Sequence, residues 1–287
     1  MQTRIYSGEF LNFTDTLTCG QVFRYRPFKE GYLVFSAEKA AYVFNKDGNA
    51  YIQSEDTDYF EEYFDLNFDY KKAYLSAINT GIPFLINAAE SGKGIRMLKQ
   101  GKEEMIYSFI VSQNNNIPRI TGIIERLCAA LGEEKEFMGV KWNTFPKTQV
   151  LKEQNEAFFK GLGFGYRDKF MCSVSNTLNV DDIKSWENYD TQTLKKTLLS
   201  FNGIGPKVAD CIVLFGFHKM DSFPVDTWIE KIYREDFSGK ETDRNKITMF
   251  FLNKFPEYAG IIQQYMFHYK RNVLTENQHT YDVNAAK

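Results

Sequence analysis

The sequence predicts an α+β architecture, an N-terminal antiparallel β-sheet with helices followed by an all-α body. Three observations carry that reading. The first 54 residues hold four short runs rich in aromatic and β-branched side chains: QVFRYRP, YLVFSA, AAYVFN and AYIQS. From Ile95 onward the apolar residues recur instead at helical spacing. Between the two lies Ser91-Gly92-Lys93-Gly94, which reads as a hinge. The expected domains are therefore 1–92 and 93–287.

The elements follow in order. Asp47-Gly48 between the last two runs is a two-residue hairpin signal, because both positions of a tight turn of this kind need positive φ. A sheet over roughly 4–54 follows, and then helical segments from Asp56 to Ala89. One helix around Met105, Phe109 and Ser112 yields to the polar stretch Gln113-Asn114-Asn115-Asn116. Ile120, Ile123, Ile124 and Leu127 mark the core stripe of the next, from Ile117 to Leu131. Gly161 to Gly165 breaks the chain before a helix from Tyr166. Further helices are expected over Thr191–Ser200, Pro206–Phe217, Asp226–Arg234 and from Pro256 to about Asn272, with a frayed polar tail after Glu276.

Composition narrows the class. A hydrophobic fraction of 43% and a charged fraction of 25% are those of an ordinary globular chain, and 287 residues suffice for two cores. There is no apolar run of membrane-spanning length, and MQTRIYSGEF lacks the apolar centre of a secretory leader, so an intracellular protein is expected. Cys19, Cys128, Cys172 and Cys211 are widely spaced, which fits neither a disulfide framework nor zinc or iron–sulfur ligation. Residues 1–91 carry 8 Lys+Arg against 13 Asp+Glu, the remainder 27 against 24. Any nucleic-acid contact must then come from local placement and backbone amides rather than from a general basic field.

The densest chemistry lies in GIGPKVADCIVLFGFHKMDSFPVD, residues 203–226. Gly203 and Gly205 permit a tight turn, and Pro206 suits the first position of a helix. The amides of the following residues then face outward at a helix N-terminus, a ready anion site. With the preceding helix this forms a helix-hairpin-helix over about 191–217, a unit that takes a DNA backbone phosphate through Gly203, Gly205, Lys207 and Val208. The turn alone leaves open a plain helix end followed by a helix start. Lys207 sits in the first turn, where the helix dipole opposes an ammonium, so a lowered pKa and a neutral amine nucleophile are expected; a solvated surface lysine is the alternative. Asp226 is well placed as a helix N-cap and also as a carboxylate that stabilises positive charge on a sugar. Lys207 and Cys211, four apart, share a helix face, while Val208, Ile212 and Phe215 form the core stripe.

With these residues in view the chain closely resembles the 8-oxoguanine DNA glycosylase/AP lyases of the helix-hairpin-helix DNA glycosylase superfamily. The resemblance runs through CGQVFR (19–24), GIRMLKQ (94–100), FIVSQNNNIPR (109–119), GLGFGYR (161–167), the 203–226 unit and YAGIIQQYMF (258–267), nearly the whole chain. It implies that Lys207 forms the Schiff base and that Asp226 is the catalytic aspartate. Gly20 is implied to accept, through its carbonyl, the N7 hydrogen that 8-oxoguanine has and guanine lacks. Cys211 and Phe267 are implied to sandwich the extruded base, and Gln263 to read its Watson–Crick edge. Asn114, Arg119, Tyr166 and Arg167 would fill the gap and contact the opposite cytosine. Their milder readings are a helix cap for Asn114, a half-buried aromatic for Tyr166 and solvated charges for Arg119 and Arg167.

The resemblance further implies duplex DNA as partner, a monomer, and chemistry that needs no metal or organic cofactor. A structural cation on the carbonyls of Leu199, Phe201 and Ile204 is implied in the hairpin. Trp228 stands where the vertebrate-type pattern has histidine, and His268-Tyr269-Lys270 lack its acidic residue, which points to a microbial branch. Two alternatives remain at this stage. A glycosylase of the same fold for another lesion is one; the adenine and thymine-glycol types commonly carry a C-terminal four-cysteine cluster, and no cysteine follows Cys211. Alkylbase enzymes usually lack the hairpin lysine. The other is a non-catalytic helix-hairpin-helix module that only binds DNA.

Overall fold

Side-chain alternation explains both faces of the N-terminal sheet. In the computed structural model, which describes residues 1–285 with side chains through Asn272, five strands form one antiparallel sheet. They are β1 (Gln2–Ser7), β2 (Tyr25–Phe28), β3 (Gly31–Ser36), β4 (Lys39–Lys46) and β5 (Asn49–Ser54), in the order β1-β5-β4-β3-β2. Val34, Val43 and Ile52 point to one face, under the helices α1 (Phe13–Thr18) and α2 (Thr57–Tyr63). Leu33, Phe35, Tyr42 and Phe44 point to the other, where Phe137 and Trp142 cover them. These two belong to a hairpin, β6 (Glu134–Phe137) and β7 (Val140–Asn143), inserted among the helices. Asp47 and Gly48 turn β4 into β5 with φ of 50° and 75°, as the two-residue turn requires. Pro27 sits on the edge strand β2, where its missing N–H breaks no ladder.

The helical part comprises α3 (Tyr70–Ile78), α4 (Pro83–Gly92), α5 (Lys102–Val111), α6 (Ile117–Leu131), α7 (Thr148–Lys152), α8 (Glu156–Gly161), α9 (Asp168–Thr177) and α10 (Val180–Trp186). It continues with α11 (Thr191–Leu199), α12 (Pro206–Phe215), α13 (Thr227–Asp236), α14 (Arg244–Lys254) and α15 (Ala259–Ala285). One core joins them, and it takes in Tyr70, Ala73, Leu85 and Ala89 from α3 and α4 as well as Phe109, Ile124, Ile212, Phe223 and Ile262. Helix α12 is buried from Val208 to Phe215, so it is the central helix rather than one with a single apolar stripe. No helix among the described residues is long and apolar enough to cross a membrane.

Two expectations change here. The 91–94 segment is a packed crossing rather than a hinge: Asn12 N–H donates to the Gly94 carbonyl at 2.8 Å and Thr16 Oγ1 donates to it at 3.2 Å. The chain after Glu276 does not leave the helix, since α15 runs to Ala285; no glycine or proline follows Gly260 to stop it.

Candidate active site

The start of α12 is built as a ligand-facing turn. Gly203 has a φ of +96°, and a methyl there would sit 2.4 Å from Phe170 Cγ, so no other residue fits both the torsion and the space. Gly205 is the N-cap and Pro206 the first helical residue. The first-turn amides of Lys207 and Val208 have no intrahelical acceptor and face a cleft of about 1350 Å³. Gly20, Asn114, Tyr166, Asp226 and Phe267 line the same cleft, so residues from five separate segments converge on it.

Asp226 caps α13: its Oδ1 accepts N–H bonds from Trp228 and Ile229, each at 3.0 Å. Lys207 points its Nζ over the Phe109 ring, 5.9 Å from the centroid. Its pKa moves against expectation. Burial opposes the ammonium, but its interactions with Cys211 and Asp226 outweigh burial and hold the pKa above the ordinary lysine value. The specific neighbours win over the diffuse helix dipole, and the amine is protonated at neutral pH in the DNA-free protein. Burial pushes the Cys211 thiol up to about 11.

The other predicted residues divide into those at the cleft and those behind it. Gly20, with φ +90°, lies beside the base-stacking candidate: a methyl on it would be 3.5 Å from Phe267 Cε1 and 3.3 Å from Ile117 Cδ1. Cys211 is buried behind Lys207. Gln263 is buried too, its Nε2 donating to the Pro224 carbonyl at 3.4 Å while its Oε1 accepts from Gln264 at 2.9 Å. Asn114 is exposed with a φ of +44°, and the cap of α6 is Asn116 rather than Asn114, accepting the Arg119 N–H at 3.0 Å. Arg119 is exposed, and Tyr166 is 52% exposed, with its ring edge against Phe170.

Arg167 is the opposite of a solvated charge. It is 2% exposed, and its guanidinium donates to the carbonyls of Gln113 (2.9 Å from Nε), Phe164 (3.1 Å) and Asn114 (3.0 Å). Of the hairpin carbonyls, that of Phe201 already accepts the Ile204 N–H at 3.1 Å, which leaves it a second lone pair. Neutral carbonyl oxygens such as those of Leu199, Phe201 and Ile204 are donors of the kind a hard cation takes.

Sequence reasoning passed over two side chains of the site. Arg244, at the start of α14, lines the cleft and makes a bidentate pair with Glu230, both contacts at 2.9 Å. Gln113 links the loop to the hairpin, donating from Nε2 to the Gly203 carbonyl at 2.8 Å. Their neighbours are distant in sequence, so no local motif announces either.

Comparison with known proteins agrees with this geometry. Residues 4–106 match the family described as 8-oxoguanine DNA glycosylase, N-terminal domain, and residues 107–257 the HhH-GPD superfamily base excision DNA repair protein family. A probable N-glycosylase/DNA lyase of Methanothermobacter thermautotrophicus is 30% identical over 232 residues, which is 74% of this chain and 73% of that protein. The N-glycosylase/DNA lyase of Saccharomyces cerevisiae is 36% identical over 161 residues, 51% of this chain and 43% of that protein. Among solved structures, the Clostridium acetobutylicum 8-oxoguanine glycosylase/lyase, in complex with double-stranded DNA containing cytosine opposite 8-oxoguanine, superposes with a TM-score of 0.85 at 31% identity, covering 92% of this chain and 93% of that one. The chain belongs to the 8-oxoguanine DNA glycosylase family, within the HhH-GPD superfamily of base excision DNA repair proteins.

Proposed function

We propose that this protein is a bifunctional DNA glycosylase and AP lyase that excises 8-oxoguanine from duplex DNA inside the cell, acting as a monomer. The observation that supports it most is the convergence of Lys207, Asp226, Gly20 and Phe267 on one cleft beside a helix-hairpin-helix turn. The turn amides hold a backbone phosphate and the lesion swings out of the stack into the cleft. Cys211 and Phe267 flank the extruded base, Gly20 accepts its N7 hydrogen and Gln263, released from Pro224, reads its pairing edge. A guanine would leave the Gly20 carbonyl unpaired, and a buried unpaired acceptor is a strong basis for rejection.

Lys207 must lose its proton before it attacks, and Asp226 is the carboxylate that faces it. The neutral amine attacks C1′, the C1′–N9 bond breaks, and the base leaves with the bonding pair and takes up a proton. Opening of the sugar ring gives the Schiff base between Nζ and C1′. Loss of a C2′ proton then expels the 3′ phosphate and nicks the strand. Asn114, Arg119, Tyr166 and Arg167 occupy the gap and meet the opposite cytosine. The carbonyls of Leu199, Phe201 and Ile204 would hold a structural cation in the hairpin, where it neutralises phosphate charge; the bond changes above use only this chain's own residues.

Borohydride trapping tests the reading. Wild-type protein and a duplex with 8-oxoguanine opposite cytosine should give a covalent adduct, and Lys207→Gln should give none. An undiminished adduct from Lys207→Gln, or no adduct from the intact protein, would overturn the mechanism.

A further inference from the structure

The hairpin turn and the loop of Asn114 meet at Gln113. Its Nε2 has two hydrogens and both are engaged, one by the Ile110 carbonyl at 3.2 Å and one by the Gly203 carbonyl at 2.8 Å. Its main-chain carbonyl accepts from Arg167 Nε at 2.9 Å, from Arg167 Nη2, and from the Tyr166 hydroxyl at 3.2 Å. One residue thus joins three segments far apart in sequence. Phe170, on α9 just after Arg167, closes the triangle by packing against Gly203.

The neighbour of this junction is Asn114, an exposed residue in the left-handed region with φ +44°. Such a backbone persists where its surroundings over-determine it. Here the restraints are the Arg167 bond to the Asn114 carbonyl at 3.0 Å and the bonds made through Gln113. Cutting the Gln113 tether to Gly203 leaves the Arg167 clasp intact but frees the loop to shift against the hairpin. The hairpin fixes where the DNA backbone sits; the loop fixes where Asn114, Tyr166 and Arg167 sit.

We propose that Gln113 is a positioning residue that holds the Asn114 loop in register with the hairpin turn, and thereby sets the preference for the base opposite the lesion. The inference rests on the 8-oxoguanine glycosylase reading above. It concerns the side that meets the opposite strand, so Gln113 acts through its neighbours and not on the reacting sugar.

The readout is the ratio of single-turnover excision rates opposite cytosine and opposite adenine. Gln113→Met keeps the side-chain length and removes both donors. One lost tether of ordinary hydrogen-bond strength predicts a drop in that ratio of about five- to tenfold, with little change in Tm. Gln113→Glu supplies a control that a packing role would not move. Its carboxylate repels the Gly203 carbonyl, whereas its protonated acid can donate to it, so the ratio should recover as pH falls from about 8 to about 4, through the ordinary carboxylic acid range. An unchanged ratio in Gln113→Met, a parallel fall of both rates, or no acid recovery in Gln113→Glu would overturn the role of Gln113. A wild-type protein with no preference for cytosine would overturn the reading beneath it instead.

Discussion

In the proposed mechanism one proton governs the chemistry at Lys207. The residue is an ammonium in the free protein because Cys211 and Asp226 outweigh its burial, yet only the free amine attacks. Below its pKa the fraction of free amine rises about tenfold per pH unit, so imine formation with a ready-made abasic site should climb with pH through neutrality. In that mechanism Asp226 pulls in two directions: it favours the ammonium, and it is proposed to stabilise positive charge on the sugar. Asp226→Asn separates them. Asparagine caps helices as well as aspartate, so α13 should lose a few tenths of a kcal/mol at most. Without the charge, the Lys207 pKa falls, so the free-amine fraction at a given pH rises and imine formation on abasic DNA should hold or increase. Base excision, which needs the charge at the transition state, should drop by about 10²-fold or more. Equal losses in both reactions would show that Asp226 acts only as a cap.

The hairpin of α11 and α12 was readable because its chemistry is local: glycine, proline and lysine spacing states a turn, a helix start and an anion site within a few residues. The Asp47-Gly48 turn was readable for the same reason. Arg167 and Gln113 were not, since their partners are main-chain carbonyls supplied by other segments, and a sequence marks no carbonyl as needing a donor. The β6–β7 hairpin, four residues a strand, is too short for its alternation to stand out; the cover it gives to Phe35 and Tyr42 appears only in the fold. Within the hairpin the two glycines have different duties that substitution can tell apart. Gly203→Ala meets both a forbidden torsion and the Phe170 ring, so it should destabilise the protein by about 2 kcal/mol or more. Gly205 has φ −87° and open space where a Cβ would go. Gly205→Ala should therefore hold its stability to within a cap's worth, about 1 kcal/mol, while its methyl group obstructs a phosphate and weakens duplex binding. A Gly205→Ala protein with full affinity would count against a phosphate on this turn.

The sheet and the helical body are joined by polar atoms that are almost fully buried, and the cleft lies along that joint. Gln21 donates to the Arg96 carbonyl at 2.8 Å and accepts the Leu98 N–H at 2.9 Å, while Arg96 donates to the carbonyls of Phe10, Phe64 and Phe68, each at 3.3 Å, and stacks on Tyr70. Helix α15 closes the same joint from the other side: Arg271 donates to the Thr18 carbonyl, and His268 Nε2 lies 3.6 Å from Asp15 Oδ1. Gly20 and Phe267, one from each part, face each other across it. His268 makes this joint sensitive to acid. Burial first, and the Arg271 charge second, lower its pKa from 6.5 to about 4, so the unfolded chain binds a proton in that window that the folded protein does not. Stability is then complete above the unfolded value and declines as pH falls toward the folded one, by about 3 kcal/mol over the whole window. His268→Gln cannot take up that proton. Urea unfolding of both proteins at about pH 7 and about pH 4.5 should show the wild type losing more stability than the variant, the difference being the part due to His268. Parallel losses would mean that the acid response comes from the carboxylates, and that the α15 contact with α1 keeps its strength as the protein is acidified.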